Sequence, residues 1–204
     1  MSIQQPSGIP ETAEVKTGTP ADKQKGIDTI VLAFSSDPFV RWIYPNPHDY
    51  LHHFSELVRV FADRAFDHET AYYTGNFAAA ALWIPPGVQP DEDAFVELIQ
   101  NTVSEERQEH LWLVLEQLES YHPTEPYWYL PVIGADPTHQ RKGSGSALMQ
   151  HALARCDREG ALAYLESSNP ENISLYARHG FEILGMIQVG TMPPIIPMLR
   201  KPQT

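Results

Sequence analysis

Tyr127-Trp128-Tyr129-Leu130-Pro131-Val132-Ile133-Gly134-Ala135, then Asp136-Pro137-Thr138-His139-Gln140-Arg141-Lys142, then Gly143-Ser144-Gly145-Ser146, is the run whose reading decides the fold. Its first nine residues have the aromatic and branched content of a central strand. Two cations close the loop that follows, and the glycines open a helix over residues 143–158. Glycine permits positive φ and close backbone approach to a ligand. Successive N–H groups in such a turn converge on an anion, and the following helix adds its free N–H groups and positive dipole end. Arg141 and Lys142 add local positive charge, so the segment reads as a diphosphate site.

Other glycine-rich phosphate loops fit less well. A G-x-x-x-x-G-K-[ST] loop begun at Gly134 finds His139 where its second glycine belongs. A G-x-G-x-x-G fingerprint begun at Gly143 finds Leu148 at its third glycine, although Glu166 stands near the place of the ribose-binding acid. A glycine turn that merely starts a helix is the plain alternative.

Outward from this segment, residues 161–167 read as a strand, 172–179 as a short helix ended by Gly180, and 181–189 and 194–200 as two final strands. Upstream, residues 70–75 and 77–84 form a hairpin around Gly75-Asn76. Residues 91–120 carry two helical patterns, through Phe95, Val96 and Ile99, then Leu111, Val114, Leu115 and Leu118. Residues 122–126 connect them to the central strand. Residues 48–66 predict a helix and 37–47 a loop rich in proline and aromatics. Thr19-Pro20 starts a helix with Ile27, Ile30, Val31 and Phe34 inward, and residues 11–17 alternate as a strand would. This order gives an α/β domain with one mixed sheet.

Two constellations in this order resemble a known family. Gln140-x-x-Gly143-x-Gly145 resembles the acyl-CoA signature of GNAT acetyltransferases, and Asn172-x-x-x-Tyr176-x-x-x-Gly180-Phe181 resembles that family's second motif. Glu125-Pro126-Tyr127-Trp128-Tyr129-Leu130, Asp136-Pro137-x-His139-Gln140, Leu165-Glu166-Ser167 and Leu199-Arg200-Lys201-Pro202 are most similar to puromycin N-acetyltransferase-like members. The resemblance is clear over residues 122–202. It implies a single-domain GNAT-type fold over residues 11–204, with a mixed twisted sheet of about six to seven strands flanked by helices.

The resemblance further implies an N-acetyltransferase that moves an acetyl group from acetyl-CoA to a small-molecule primary amine in a ternary complex. Ile133, Gly134 and Ala135 would pair with pantetheine, and a backbone N–H near Ile133 would meet the oxyanion. Gln140, Arg141, Lys142, Gly143, Ser144, Gly145 and Ser146 would hold the pyrophosphate, with Ser144 where the family usually has an apolar residue. Asn172 would bond pantetheine, a helix cap being the bland alternative. Tyr176 would protonate the leaving thiolate, the alternative being a tyrosine that packs the helix onto the sheet. Glu166 is the candidate base, directly or through water, and a structural acid is its alternative. Trp42, Tyr44, Tyr73 and Trp83 are acceptor-pocket candidates against a default of core packing. A CoA-binding sensor with a dead acceptor site is the rival function. Pro131 cannot donate to a ladder and predicts a bulge or an unpaired position.

The bulk numbers agree with this reading. A chain of 204 residues can bury one sizeable core. No apolar run approaches the ~20 residues of a membrane helix. Residues 1–10 lack a signal peptide's basic start and apolar stretch, so they read as a flexible tail on a cytoplasmic protein. The single Cys156 excludes an internal disulfide and cysteine-rich zinc sites. A net charge of −12 disfavours nucleic acid and weakly favours cationic partners, and an acidic surface also serves solubility. His48 and His52 share a helical face without an accompanying acidic motif, so no metal is expected. A homodimer is compatible with all of this.

Overall fold

In a computed structural model that describes residues 13–203, seven strands form one mixed sheet in the order β1-β2-β3-β4-β5-β7-β6. They are β1 Val15–Thr17, β2 Ala71–Thr74, β3 Ala79–Ile84, β4 Tyr127–Ala135, β5 Leu162–Ser167, β6 Glu182–Ile183 and β7 Ile196–Arg200. Only β4 and β5 run parallel, since helix α7, Ser144–Glu159, carries the chain back between them. Alternation along β3 feeds two cores. Ala80, Leu82 and Ile84 face helices α1, Lys23–Ala33, and α3, Pro47–Ala62, while Ala79, Ala81 and Trp83 face α7. Burial on both faces explains why this strand is apolar without interruption. Gly134 is glycine because α1 lies on it: a Cβ there would collide with the Cβ of Ala33.

Pro131 sits in a β-bulge. Leu82 pairs with Val132 and Ile84 with Tyr129, so Leu130 and Pro131 together oppose Trp83. The missing N–H falls where the ladder is already broken.

Several boundaries differ from the sequence reading. Residues 37–47 are not all loop: helix α2, Pro38–Ile43, begins where an Asp37 oxygen accepts the N–H groups of Phe39 and Val40, with Pro38 at its first position. The helix expected over 48–66 divides at Asp63 into α3 and a short α4, Arg64–Asp67. Residues 91–120 form α5, Glu92–Thr102, and α6, Glu105–Glu119, but Val96 is exposed. The strand expected over 181–189 shrinks to β6 and one bridge, Ile187 to Ile195, and at Gly185 between them a Cβ would collide with the Tyr121 ring. The short helix α8, Ile173–Arg178, stops before Gly180 at φ +86°. The N-terminal tail and residues 11 and 12 of the first expected strand lie outside the described residues.

Candidate active site

The β4–β5 ladder covers only Tyr127–Tyr129 against Leu162–Tyr164. Beyond it β4 continues to Ala135 on β3, and β5 continues to Ser167 on β7. Residues 130–135 therefore have no strand partner on the β5 side, and the sheet opens just past the bulge. Ile133, Gly134 and Ala135 lie on this half-buried free edge, where an extended ligand could add main-chain hydrogen bonds.

The glycine turn follows directly. Asp136 caps a tight turn by accepting the Thr138 N–H at 2.7 Å. Gln140 reaches back to the Ala135 carbonyl at 3.5 Å, and Lys142 donates to the Thr138 carbonyl at 2.9 Å. Arg141 and Gly143 both hold left-handed backbone, at φ +60° and +87°. For Arg141 that conformation costs about 1–2 kcal/mol, and the cost falls on a solvent-exposed residue of this loop. Gly143 supplies no side-chain cap to α7, so the first N–H groups of a 16-residue helix stay available. A Cβ at Gly145 would meet only Leu175, at 3.5 Å, so internal packing does not demand glycine there. Ser144 is buried, and Ser146 Oγ lies 2.8 Å from His179 Nε2. The first turn of α7 thus offers uncapped donors, beside two exposed cations, to an anion such as the CoA diphosphate. Asn172 is exposed and caps nothing, since Asn169 accepts the Glu171 N–H instead.

Glu166 lies across the opening on the face opposite α7. It accepts the Tyr129 hydroxyl at 2.6 Å on Oε2 and faces His122 Nε2 at 3.0 Å on Oε1. His122 Nδ1 is 2.6 Å from the Tyr127 hydroxyl. Burial first, and then the Glu166 carboxylate, push the phenols of Tyr127, Tyr129 and Tyr164 above their usual range. They remain hydrogen-bond donors at neutral pH. The Tyr164 hydroxyl is buried without a hydrogen-bond partner among the described residues.

Two cavities meet at this carboxylate. The inner one, of about 150 Å³, is walled by α2, α3, α5 and α6 through Phe39, Phe54, Phe61, Phe95 and Leu111, with Glu166 and Ser168 among its few polar groups. The outer one, of about 610 Å³, is lined by the loop over residues 85–90, the connector over 122–126, Glu92, Glu119 and again Glu166.

At the far end of β5, buried Asp37 accepts the Ser168 hydroxyl at 2.7 Å. Burial raises the Asp37 carboxyl above its usual range, against the pull of its hydrogen bonds to Val40, Ser168 and Phe39. Tyr176, 6% exposed, lies near enough that Asp37 adds to the effect of burial, and its phenol is pushed up. No described residue accepts its hydroxyl.

The four aromatic acceptor candidates line neither cavity. Tyr44 is buried against Thr102, with 2.9 Å between hydroxyls, and Trp83 packs on the α7 face. Tyr73 stacks on Phe77 at 3.9 Å between ring centroids, and Trp42 donates to Thr191 at 3.4 Å. His48 and His52 are exposed and stack at 6.3 Å, and no group of three or more potential metal ligands occurs among the described residues. No described helix is long and apolar enough to cross a membrane. Buried Cys156 has its thiol pushed up to about 12 by desolvation. Sequence reading missed Asp37, whose Asp-Pro pair was a legible cap signal, and also His122 and Tyr129, for which no spacing rule exists.

A family model for the acetyltransferase (GNAT) family matches residues 39–181, which include β4, the glycine turn, β5 and α8. An uncharacterized N-acetyltransferase of Schizosaccharomyces pombe is 23% identical, over 90% of this chain and 81% of its own. A Corynebacterium glutamicum protein described as histone acetyltransferase HPA2 and related acetyltransferase superposes with a TM-score of 0.66 at 26% identity, over 95% of this chain and 98% of its own. A polyamine N-acetyltransferase of Drosophila melanogaster, which forms N-acetylagmatine, gives 0.66 at 12% identity, over 92% and 99%. With the opened sheet and the glycine turn in place, this chain belongs to the acetyltransferase (GNAT) family and is an acyltransferase.

Proposed function

We propose that the protein transfers an acetyl group from acetyl-CoA to the primary amine of a small molecule, within a ternary complex at the β4–β5 opening. Bound acetyl-CoA would supply the activated acetyl thioester. The free edge at Ile133, Gly134 and Ala135 would hold its pantetheine arm, with Asn172 nearby. The turn from Gln140 to Ser146 would hold the diphosphate. The observation that carries the reading is the position of Glu166: a carboxylate at the end of an apolar cavity, on the strand that opens away from that edge. A carboxylate so placed can take the proton of an entering ammonium or amine. Tyr176, kept protonated, can give a proton to the departing sulfur. Alignment of both reactants by the walls of the opening supplies the remaining acceleration.

The inner cavity suits an acceptor whose amine is attached to an apolar or aromatic body, because its walls are aromatic and aliphatic. The motifs around Glu125-Pro126 and Leu165-Glu166-Ser167 keep a puromycin N-acetyltransferase-like placement within the family as our reading. Acetyl-CoA offered with a panel of aliphatic and aromatic amines, scored by free-thiol release, tests the function. We expect release that depends on an amine. Tight CoA binding with no release across the panel would favour a sensor that binds acyl-CoA without turnover.

A further inference from the structure

The Glu166 carboxylate borders both cavities, and the one other titratable group lining the inner one is the Tyr129 phenol, which burial keeps protonated. A proton taken there needs a way out, and the outer cavity offers one. His122 stands on that side, one ring nitrogen 3.0 Å from Glu166 Oε1 and the other 2.6 Å from the Tyr127 hydroxyl, and its side chain is 32% exposed. His122 is reached from the connector between α6 and β4, and the parallel β4–β5 ladder sets Tyr127, Tyr129 and Tyr164 around it.

We propose that His122 is the positioning and relay residue of this site: it fixes the Glu166 carboxylate and carries the acceptor's proton to the outer cavity. This rests on the reading of Glu166 as the base. An imidazole can take and give a proton at neutral pH. At rest the Nε2 hydrogen is donated to Glu166 Oε1, which fixes the carboxylate, and Nδ1 accepts the Tyr127 hydroxyl. The amine loses a proton to Glu166, and exchange with outer-cavity water moves the ring hydrogen to Nδ1. The carboxylic acid then passes its proton to the bare Nε2, and the imidazolium releases its Nδ1 proton through the Tyr127 hydroxyl to that water, which restores the starting tautomer. One proton leaves the amine, one reaches solvent, and Glu166 ends as a carboxylate. Tyr129 holds the second carboxylate oxygen throughout, so the geometry survives each transfer.

The groups facing His122 are Glu166 and Tyr164 on β5 and Tyr127 and Tyr129 on β4, with Tyr121, just past α6, near Tyr164. The outer cavity adds Glu92, Glu119 and Glu125 and no lysine or arginine.

The test compares His122→Gln with Glu166→Gln, across pH and with added free imidazole. Glutamine can still donate to Glu166 but cannot relay. For His122→Gln we expect the melting temperature and the KM for acetyl-CoA to hold. Its kcat should fall by about 10–100-fold, less than the 10²–10⁴ assigned to a base itself. Free imidazole, admitted by the open outer cavity, should restore much of the loss in a concentration-dependent way. Tyr127→Phe, which removes the hydroxyl on Nδ1, should show a smaller loss with the same rescue, and serves as the probe if His122→Gln does not fold. A His122→Gln enzyme with normal kcat and pH profile, or a loss that no small buffer restores, overturns the relay. If Glu166→Gln is inactive in that case, the base survives and only the relay falls. A fully active Glu166→Gln enzyme removes the base itself.

Discussion

Ser168 Oγ donates to Asp37 Oδ2 at 2.7 Å, joining residues 131 positions apart and pinning the start of α2 to the end of β5. The other Asp37 oxygen caps α2. One buried side chain thus fixes both walls of the opening, at the cost of holding a carboxyl where desolvation disfavours its charge. Asparagine keeps a capping oxygen and can donate to Ser168.

We therefore expect Asp37→Asn to match or exceed the wild type in stability at pH 7, and Asp37→Ala to lose about 0.5–2 kcal/mol with the cap. The sign follows from linkage. A folded-state pKa raised above the unfolded value means that protonation favours the fold. The wild type should gain on Asp37→Asn as pH falls through the raised pKa, and lose that gain as pH rises. Urea melts of both at pH 4 and pH 7 read this directly, and a gap that widens on acidification contradicts it.

The glycine turn gives a second prediction. Gly145 can carry a Cβ within the protein, since only Leu175 is met, at an ordinary 3.5 Å. Gly145→Val should fold with a near-normal melting temperature and lose CoA binding, because the side chain would stand where the diphosphate approaches. Wild-type protein at a hundred times the dissociation constant of CoA should gain about 2.7 kcal/mol, and the variant nothing. Thermal melts with and without CoA, and with ATP as control, check it. Gly143→Val is a poorer probe, because φ +87° already strains any side chain. A Gly145→Val protein that still shifts with CoA would move the anion site elsewhere.

The parts legible in the sequence were those where local chemistry and tertiary need coincide. The strand, loop and glycine helix from Tyr127 to Glu159 answer to composition, left-handed backbone and uncapped N–H groups, all properties of the segment itself. Pro131 announced its bulge for the same reason. The apolar cavity proposed for the acceptor was not legible, because it is assembled across the chain. Phe39, Phe61, Phe95 and Leu111 meet around one cavity only after α2, α3, α5 and α6 have packed. The family resemblance points to Trp42 and Tyr44 through its use of the first helices, but Phe39 and Val40 are the residues of this stretch that line the cavity, with Ile43. The link from His122 to Glu166 spans 44 positions and follows no periodicity. Gly134 shows the converse: the family resemblance sets it beside pantetheine, while its lack of a Cβ is demanded by Ala33 of α1.

The last prediction concerns Tyr176. Its ring is buried beside Phe181, centroids 6.3 Å apart, and its hydroxyl has no acceptor among the described residues, so Tyr176→Phe should leave packing and stability almost unchanged. If the phenol protonates the departing thiolate, kcat should fall by about 10²–10⁴. The KM for acetyl-CoA should move far less, because the lost interaction belongs to the transition state. Burial keeps the phenol protonated throughout the working pH range but also makes it a weaker acid, so the loss in kcat should fall at the lower end of about 10²–10⁴. An acyl thioester with a more acidic thiol needs less help to leave, so the ratio of wild-type to variant kcat should shrink with that donor. A purely structural tyrosine predicts a small loss, equal for both donors. Steady-state rates of both proteins with both thioesters separate the two roles, and an undiminished Tyr176→Phe enzyme would return Tyr176 to the core of α8 and leave protonation of the sulfur to solvent.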